Sequence, residues 1–368
     1  MKRVLCIVSA MNAGGAETFL MKVYRSLDRS RYQLDFCVNV PEAGVYDEEI
    51  RSLGGRIYRV VQKSEDPVRS FLQTRDLVKA EKYDYVMRVN EHALSTLDLL
   101  AARLGGAKHL IMRSSNSRSP GKLHTALHHL FRFLPKTVPT VKLAPSTEAA
   151  EYTFGKGCVA RGKVSLLKNG LDTDKFRFCE EVRQAYREKL DIADRLVVGH
   201  VGRFDEQKNH GFLLEVFAQI KQLREDAVLL LVGDGKLREE IARKAETLGI
   251  ADSVRFLGIR SDVPQLLSAM DVFLFPSLYE GMPNTVLEAQ TSGLPCIVSD
   301  TVTEEAGVTE LVSFLSLEDS PEHWAQQVVA HCKVQTAHRA AAALWMRQEG
   351  YNIEDTSHRF VELVFESK

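Results

Sequence analysis

A rhythm of short apolar runs and longer helical patterns occurs twice in this chain, and it limits the possible fold more than any other feature. In the first series, residues 3–8 read as a strand, Gly14-Gly15 interrupts, and a helix follows over 16–27. Residues 34–40, 85–89, 110–112, 141–144 and 164–167 are further strands. A polar, charge-mixed stretch over 172–195 reads as a connection with one helix, and the rhythm then restarts. Residues 196–201, 227–232, 254–257, 272–275 and 296–299 read as strands, and 210–223 and 236–248 as helices. Parallel strands need helix-length crossovers, so this alternation demands parallel sheets. It predicts an α/β chain of two doubly wound, Rossmann-like domains, 1–175 and 176–349, facing a central cleft at the carboxyl ends of both sheets. The tail, 350–368, carries Phe360, Leu363, Val364 and Phe365 on one helical face, and is expected to pack back across the domains towards the first.

Length agrees, since 368 residues exceed one ordinary domain. A net charge of −1 removes any global attraction to nucleic acid. No run approaches the ~18 apolar residues needed to span a bilayer, and the apolar run after Met1-Lys2-Arg3 is too short for an export signal. The expectation is a cytoplasmic protein able to lie peripherally on the inner face of a membrane. The six cysteines form no C-x-x-C pair, and Cys6, Cys37 and Cys296 lie in apolar runs as small core residues.

The richest segment runs from Phe275 through Glu280-Gly281-Met282-Pro283-Asn284-Thr285 to Glu288. A strand ends, a Gly/Pro turn follows, and a helix begins near Asn284, read as its N-cap. Free N–H groups at a helix start suit an anion, and a carboxylate there can accept bonds from two sugar hydroxyls. Taken singly, Glu280 could cap a turn and Glu288 could be a solvated helix residue; the flanking sequence weighs against both. In the second segment a strand runs into Gly202-Arg203, with Lys208 in the same loop. Gly202 permits close approach of a ligand, and two cations at a strand's end can neutralise a diphosphate. Asp205 and Glu206 leave open a surface loop of mixed charge.

Together these segments resemble the retaining, GT-B type glycosyltransferase family 4, which pairs a G-R-x-x-x-x-K loop with two glutamates eight positions apart. Gly233-Asp234-Gly235-Lys236-Leu237, Phe256-Leu257-Gly258 and Asn169-Gly170-Leu171-Asp172 add to the likeness. The resemblance implies that Arg203 and Lys208 hold the donor diphosphate and Glu288 the ribose. Glu280, with the backbone from Gly281 to Thr285, would hold the sugar, and the loop at Leu257-Gly258-Ile259 the base. Asp234 and its glycines are read as shaping a turn and capping a helix. The implied reaction is metal-independent transfer from an NDP-sugar, UDP-linked above others, to a glycan or lipid-linked acceptor in cell-surface polysaccharide synthesis, such as capsule or exopolysaccharide. No cofactor and no metal are expected. The competing reading is a non-catalytic partner that binds nucleotide sugar within an assembly complex.

In the first half, Gly14-Gly15-Ala16-Glu17 opens a helix but is not G-x-G-x-x-G; its glycines still allow close approach to phosphate or sugar. Similar enzymes carry histidines in a run like H-S-H-N, where this chain has Arg113-Ser114-Ser115-Asn116. His92 is the substitute candidate, and Arg113 a source of charge near the leaving group. Between Asp98 and Glu148 there is no acidic residue, while Arg103, Lys108, Arg113, Arg118, Lys122, Arg132, Lys136 and Lys142 occur, with an apolar face at Leu123, Leu127, Leu130, Phe131, Phe133 and Leu134. This 103–142 segment is expected to meet an anionic membrane surface. His124 and His128 at i, i+4 and Asp172-Thr173-Asp174 are discounted as metal sites.

Overall fold

The computed structural model describes residues 1–12, 14–90, 92–114, 128, 130–332 and 336–366. The chain forms two units: Met1–Gly170 with Ile353–Lys368, and Leu171–Asn352. These limits lie a few residues from 175 and 349. The tail is thus an integral part of the first unit.

The first unit holds seven strands in the order β3-β2-β1-β4-β5-β6-β7. They are β1 Lys2–Ile7, β2 Tyr32–Val38, β3 Ile57–Arg59, β4 Tyr85–Asn90, β5 His109–Ser114, β6 Val141–Ala144 and β7 Ser165–Leu166. Every pairing is parallel. A strand's period of two divides its side chains between two cores. Val4 and Cys6 of β1 join one cluster with Phe19, Tyr24 and Phe36, while Leu5 and Ile7 join the other with Val86, Leu110 and Met112. A sheet covered on both faces explains why β1 reads as an apolar run from Val4 to Ile7 and why β2 is buried along its whole length, Gln33 and Asp35 included.

The tail forms a helix, Ile353–Val361, and a π-helical turn, Glu362–Glu366. Ile353, Phe360, Val364 and Phe365 complete the first of these cores. The Phe365 ring lies 4.9 Å from Tyr32 and 5.2 Å from Tyr85, and Lys2 Nζ donates to its carbonyl at 2.6 Å. Truncating a buried phenylalanine costs about 3–5 kcal/mol, so Phe360 makes the tail a structural member of this unit.

The second unit holds six parallel strands in the order β10-β9-β8-β11-β12-β13. They are β8 Val197–Val201, β9 Val228–Val232, β10 Val254–Gly258, β11 Val272–Phe275, β12 Cys296–Ser299 and β13 Val312–Leu315. Val228, Leu230, Phe273 and Phe275 face one core; Leu229, Leu231, Val272 and Leu274 face the other. In both sheets the order reverses, between β1 and β4 and between β8 and β11. Such a reversal opens a crevice at the strands' carboxyl ends.

Two strands were not legible in sequence, β3 and β13. Both are short and partly exposed, with no fully buried residue. Cys6, Cys37 and Cys296 are buried, and burial pushes the Cys37 thiol up to about 12. Among the described residues no helix is long and apolar enough to cross a membrane.

Candidate active site

In the second unit, main-chain hydrogen bonds tie the strand-end loops together. Gly202 N–H donates to Val232 O at 2.9 Å, and Gly233 N–H to Gly258 O at 2.8 Å. Phe204 N–H donates to Asp234 O, and Leu237 N–H to Phe204 O. Leu278 N–H reaches Gln207 O at 2.8 Å, while Gln207 Nε2 donates to Tyr279 O at 2.9 Å. The loops after β8, β9, β10 and β11 therefore form one framework.

Glycine is required at two contacts of that framework. Gly233 sits at φ 131°, and a Cβ there would collide with the Gly202 carbonyl oxygen. A Cβ on Gly235 would lie 2.6 Å from the Phe204 carbonyl oxygen. The Gly-Asp-Gly segment thus braces the Arg203 loop from behind. Asp234 does not cap a helix: its Oδ1 accepts from Gly235 N–H, and the helix starts at Arg238 after Leu237.

On this framework Lys208 meets Glu280. Lys208 belongs to a single 3-10 turn, Glu206–Lys208, whose N-cap Asp205 accepts from Lys208 N–H. Its Nζ donates to Glu280 Oε1 at 2.5 Å and lies 4.6 Å from the Phe275 ring centre. Both side chains are largely buried, 16% and 13% exposed. Glu280 also bridges to Val302, tying in the loop after β12. Arg203, by contrast, is 65% exposed, with Asp205 4.0 Å away. It is the cation of the loop presented to solvent.

The helix Asn284–Thr291 starts one residue earlier than the cap reading implies. Pro283 is the N-cap, and no side chain caps the helix, so Asn284 occupies its first turn. Proline offers no side-chain acceptor there. Gly281, Met282 and Pro283 are buried, and Met282, Val286 and Leu287 anchor the helix in the core. Thr285 Oγ1 is buried with no hydrogen-bond partner. Glu288 is buried at 8% exposure rather than solvated. Gly258, at φ 67°, turns the loop after β10, and Ile259 beside it is 83% exposed. Leu257 packs against the core beneath.

Sequence reasoning missed His200, which alternation places as an ordinary strand residue. It is fully buried below Gly202: a Cβ on Gly202 would lie 2.8 Å from its Nε2. Its ring stacks near Phe273 and Phe275, and Nδ1 lies 2.9 Å from Leu274 O. His210 packs edge-on against it and stacks on Phe204 at 4.2 Å. Burial, and then the charge on Lys208, push His210 down to about 4. These neutral rings support the loop without adding charge.

The remaining candidates belong to the first unit. Gly14 is the N-cap of the helix Gly15–Ser26 and contributes no side-chain cap. The space a Cβ would fill at Gly14 holds the Glu17 carboxylate, an intramolecular anion, so the expected room for a ligand is occupied by a movable side chain. Gly15 opens the helix and is exposed. His92 precedes the turn Ala93–Thr96, and its carbonyl accepts from Ser95 N–H at 3.0 Å and Ser95 Oγ at 2.7 Å.

Arg113 is 2% exposed, donates to Asn169 Oδ1 at 2.5 Å and covers the Phe19 ring at 3.7 Å. Burial pushes its guanidinium down to about 9. It is a core residue tied to Asn169, which corrects its reading as charge for a leaving group. Nearby, Asp98 forms an ion pair with Arg88, whose Nε lies 2.9 Å away, and accepts from Lys63 Nζ at 2.5 Å, an ion cluster the sequence did not announce.

Several described cations of the 103–142 segment are tied to partners within the first unit. Arg103 donates to Val138 O, Arg132 to Glu151 O, and Lys108 pairs with Asp84. Leu130 and Phe133 remain exposed. His128 stacks on Tyr152 at 4.3 Å. Ser115, Asn116, Arg118, Lys122, Leu123, His124 and Leu127 lie outside the described residues. Asp172 caps Lys175 N–H and Asp174 pairs with Arg347, so both are committed to local structure.

The family model "Glycosyl transferases group 1" matches residues 195–333, the segment that carries the stitched loops. A Bacillus subtilis (strain 168) protein named as glycosyltransferase EpsF is 36% identical over 96% of this chain and 94% of its own. The Escherichia coli UDP-Gal:alpha-D-GlcNAc-diphosphoundecaprenol alpha-1,3-galactosyltransferase is 31% identical over 63% of this chain and 62% of its own. Among solved structures, Anabaena Alr3699/HepE in complex with UDP covers both chains fully, with a TM-score of 0.80 and 18% identity. Its UDP-glucose complex gives a TM-score of 0.81 at 17% identity, again with full coverage of both chains; these structures share the GT-B fold. Sequence likeness along nearly the whole chain, a family match centred on the Lys208–Glu280 loops and a shared two-sheet architecture lead to one conclusion: this chain belongs to the group 1 glycosyltransferases and is a transferase enzyme.

Proposed function

We propose that the enzyme moves a sugar, with retention and without a metal ion, from a UDP-sugar to a glycan or lipid-linked acceptor in cell-surface polysaccharide synthesis. The convergence of Lys208, Glu280 and the uncapped start of the Asn284–Thr291 helix carries this reading. A nucleoside diphosphate needs positive charge as its bond to the sugar breaks. Arg203 and Lys208 supply two cations, and helix-start amides supply further donors. Thr285 Oγ1, buried and unpartnered, is a further hydroxyl donor to a phosphate oxygen.

On donor binding, Lys208 turns from Glu280 towards the diphosphate, and Glu280 accepts from sugar hydroxyls. Glu288 accepts from the ribose, and the loop at Leu257 and Gly258, with exposed Ile259, takes the base. The bond from the sugar's anomeric carbon to the β-phosphate oxygen breaks, and its electron pair leaves with UDP. The acceptor oxygen bonds to the same face of that carbon and passes its proton to the departing phosphate. Gly14, Gly15 and His92 serve the donor and acceptor from the first unit, His92 orienting the reacting sugar. The uridine assignment is supported by the names of the E. coli and Anabaena proteins. A peripheral site on the inner membrane face is supported by exposed Leu130 and Phe133 beside exposed Lys136.

The test is UDP release and sugar transfer by purified enzyme with native membranes and excess chelator. Full turnover that falls at least 100-fold in Lys208→Ala supports the reading; strict dependence on Mn²⁺ or Mg²⁺ contradicts it.

A further inference from the structure

The last strands of the first unit frame a cavity of about 320 Å³ that no part of the transfer reaction uses. Lys136, Lys142, Lys156, Arg161 and Lys163 line it, with Phe154 as the apolar wall, and no carboxylate is among the lining residues. Lys142 is the second residue of β6, and Lys163 lies two residues before β7. The cavity therefore opens at the amino ends of these strands, whereas Gly14 and His92 follow carboxyl ends.

The loop that closes it is shaped to carry cations. Gly155, Gly157 and Gly162 have φ of 102°, 66° and 65°, so the chain folds tightly without side chains to cover it. Lys136 Nζ lies 3.3 Å from where a Cβ on Gly155 would be, and Arg161 Nη1 lies 2.8 Å from the same point on Gly157. Arg161 Nη2 donates to Lys156 O. The nearest acid used by the loop, Glu151, accepts from Gly157 N–H at 2.6 Å and so fastens the backbone.

Five cations here exceed what local structure asks for. The helix Thr147–Phe154 ends at Gly155, and its carboxyl end carries about half a negative charge. Its Glu151 carbonyl is already met by Gly155 N–H and Arg132 Nη2. Burial, and then repulsion from Lys163, hold the Lys142 ammonium below its ordinary range. Like charges gathered in a concave site repel one another until an anion enters.

We propose that this cavity binds a phosphate-bearing anion, with Lys142 at its floor and Lys136, Lys156, Arg161 and Lys163 at its rim. A phosphate brings up to two charges and several acceptor oxygens, which suits five donors better than a single carboxylate does. The group could arrive on a lipid headgroup or as a soluble phosphate.

Pyrophosphate titrated calorimetrically into the full chain at low salt tests the site. The Arg203→Ala variant separates it from any binding at the donor loops. Lys156→Ala with Lys163→Ala removes only exposed side chains, and Lys142→Met tests the floor; unchanged melting temperatures exclude misfolding. The expected result is at least a 10-fold loss of pyrophosphate affinity in both cavity variants, with binding kept in Arg203→Ala. Sedimentation with phosphatidylglycerol vesicles then separates the sources. A parallel loss of vesicle binding identifies a lipid phosphate, and unchanged vesicle binding identifies a soluble one. Pyrophosphate affinity unchanged in both cavity variants overturns the proposal.

Discussion

The two units share a sheet reversal and place their glycine-led helices and loops at the same strand ends, yet they hold those ends in opposite ways. In the second unit backbone meets backbone: Gly202 N–H donates to Val232 O and Gly233 N–H to Gly258 O, and a side chain on Gly233 would collide with the Gly202 carbonyl. In the first, buried charge does the holding, through Arg88, Asp98 and Lys63. A main-chain seam has no protons to lose and fixes its loops in advance. Preorganisation of that kind favours catalysis by electrostatics, because no reorganisation is needed as charge develops. A side-chain cluster can be broken at a single residue.

The largest effect is expected from breaking the first unit's cluster. Asp98→Ala removes a 3% exposed carboxylate that pairs with Arg88 and Lys63, and urea denaturation is expected to show a loss of about 3–5 kcal/mol. A loss below about 1 kcal/mol would mean that the cluster does not hold the strand ends.

Next comes the seam. Gly233→Ala combines a positive φ with a backbone collision, and is expected to cost about 3 kcal/mol and to displace the Arg203 loop. Gly106→Ala in the first unit has φ 101° but nothing within 4 Å, so about 1 kcal/mol is expected there. Equal losses at the two positions would remove the distinction between seam and ordinary turn.

The pH response sharpens the comparison further. His210 is pushed down to about 4 from an ordinary 6.5, so in the unfolded chain it takes up its proton first as pH falls. Its contribution to stability is complete above about 6.5 and is lost as pH falls towards about 4, at up to ~1.4 kcal/mol per pH unit. His210→Phe keeps the stack on Phe204 and should lessen that slope in melting temperatures measured across this range, leaving the share due to His200, which burial also holds below its ordinary value. An unaltered slope would exclude His210 as its source.

The smallest effect is expected at Arg113. Its cation is buried with an amide and a ring for partners, and burial alone accounts for its depressed guanidinium. Arg113→Met should change stability by no more than about 1 kcal/mol, since an apolar side chain of similar length avoids the desolvation cost. A loss near that of Asp98→Ala would show that Arg113 holds its unit as the ion cluster does.

The elements most legible in the sequence were those with the strongest periodicity. The Val272–Phe275 and Cys296–Ser299 strands and the His210–Leu223 helix match their sequence limits, because apolar runs buried on both faces end sharply. Ile57–Arg59 and Val312–Leu315 escaped because edge strands need little apolar content. In the site, the family resemblance carried by the two segments together picked out Lys208 and Glu280, which the fold brings within a hydrogen bond. Spacing could not show that Gly233 braces Gly202, because that contact joins two different strand ends. Nor could it place Arg113 in the core, since Asn169 and Phe19 are remote in sequence. Asn284 misled because a good capping residue can equally occupy a first turn when proline precedes it.

The central claim is that the cations of the seamed loop receive the nucleotide. Calorimetric titration of UDP, with chelator present, into the native enzyme and Arg203→Ala tests it most directly. Arg203 is 65% exposed and its ion pair with Asp205 is long at 4.0 Å, so the account predicts tight metal-free binding that weakens at least 10-fold in the variant at an unchanged melting temperature. Equal UDP affinity in the two proteins, or binding only after Mg²⁺ is restored, would contradict it.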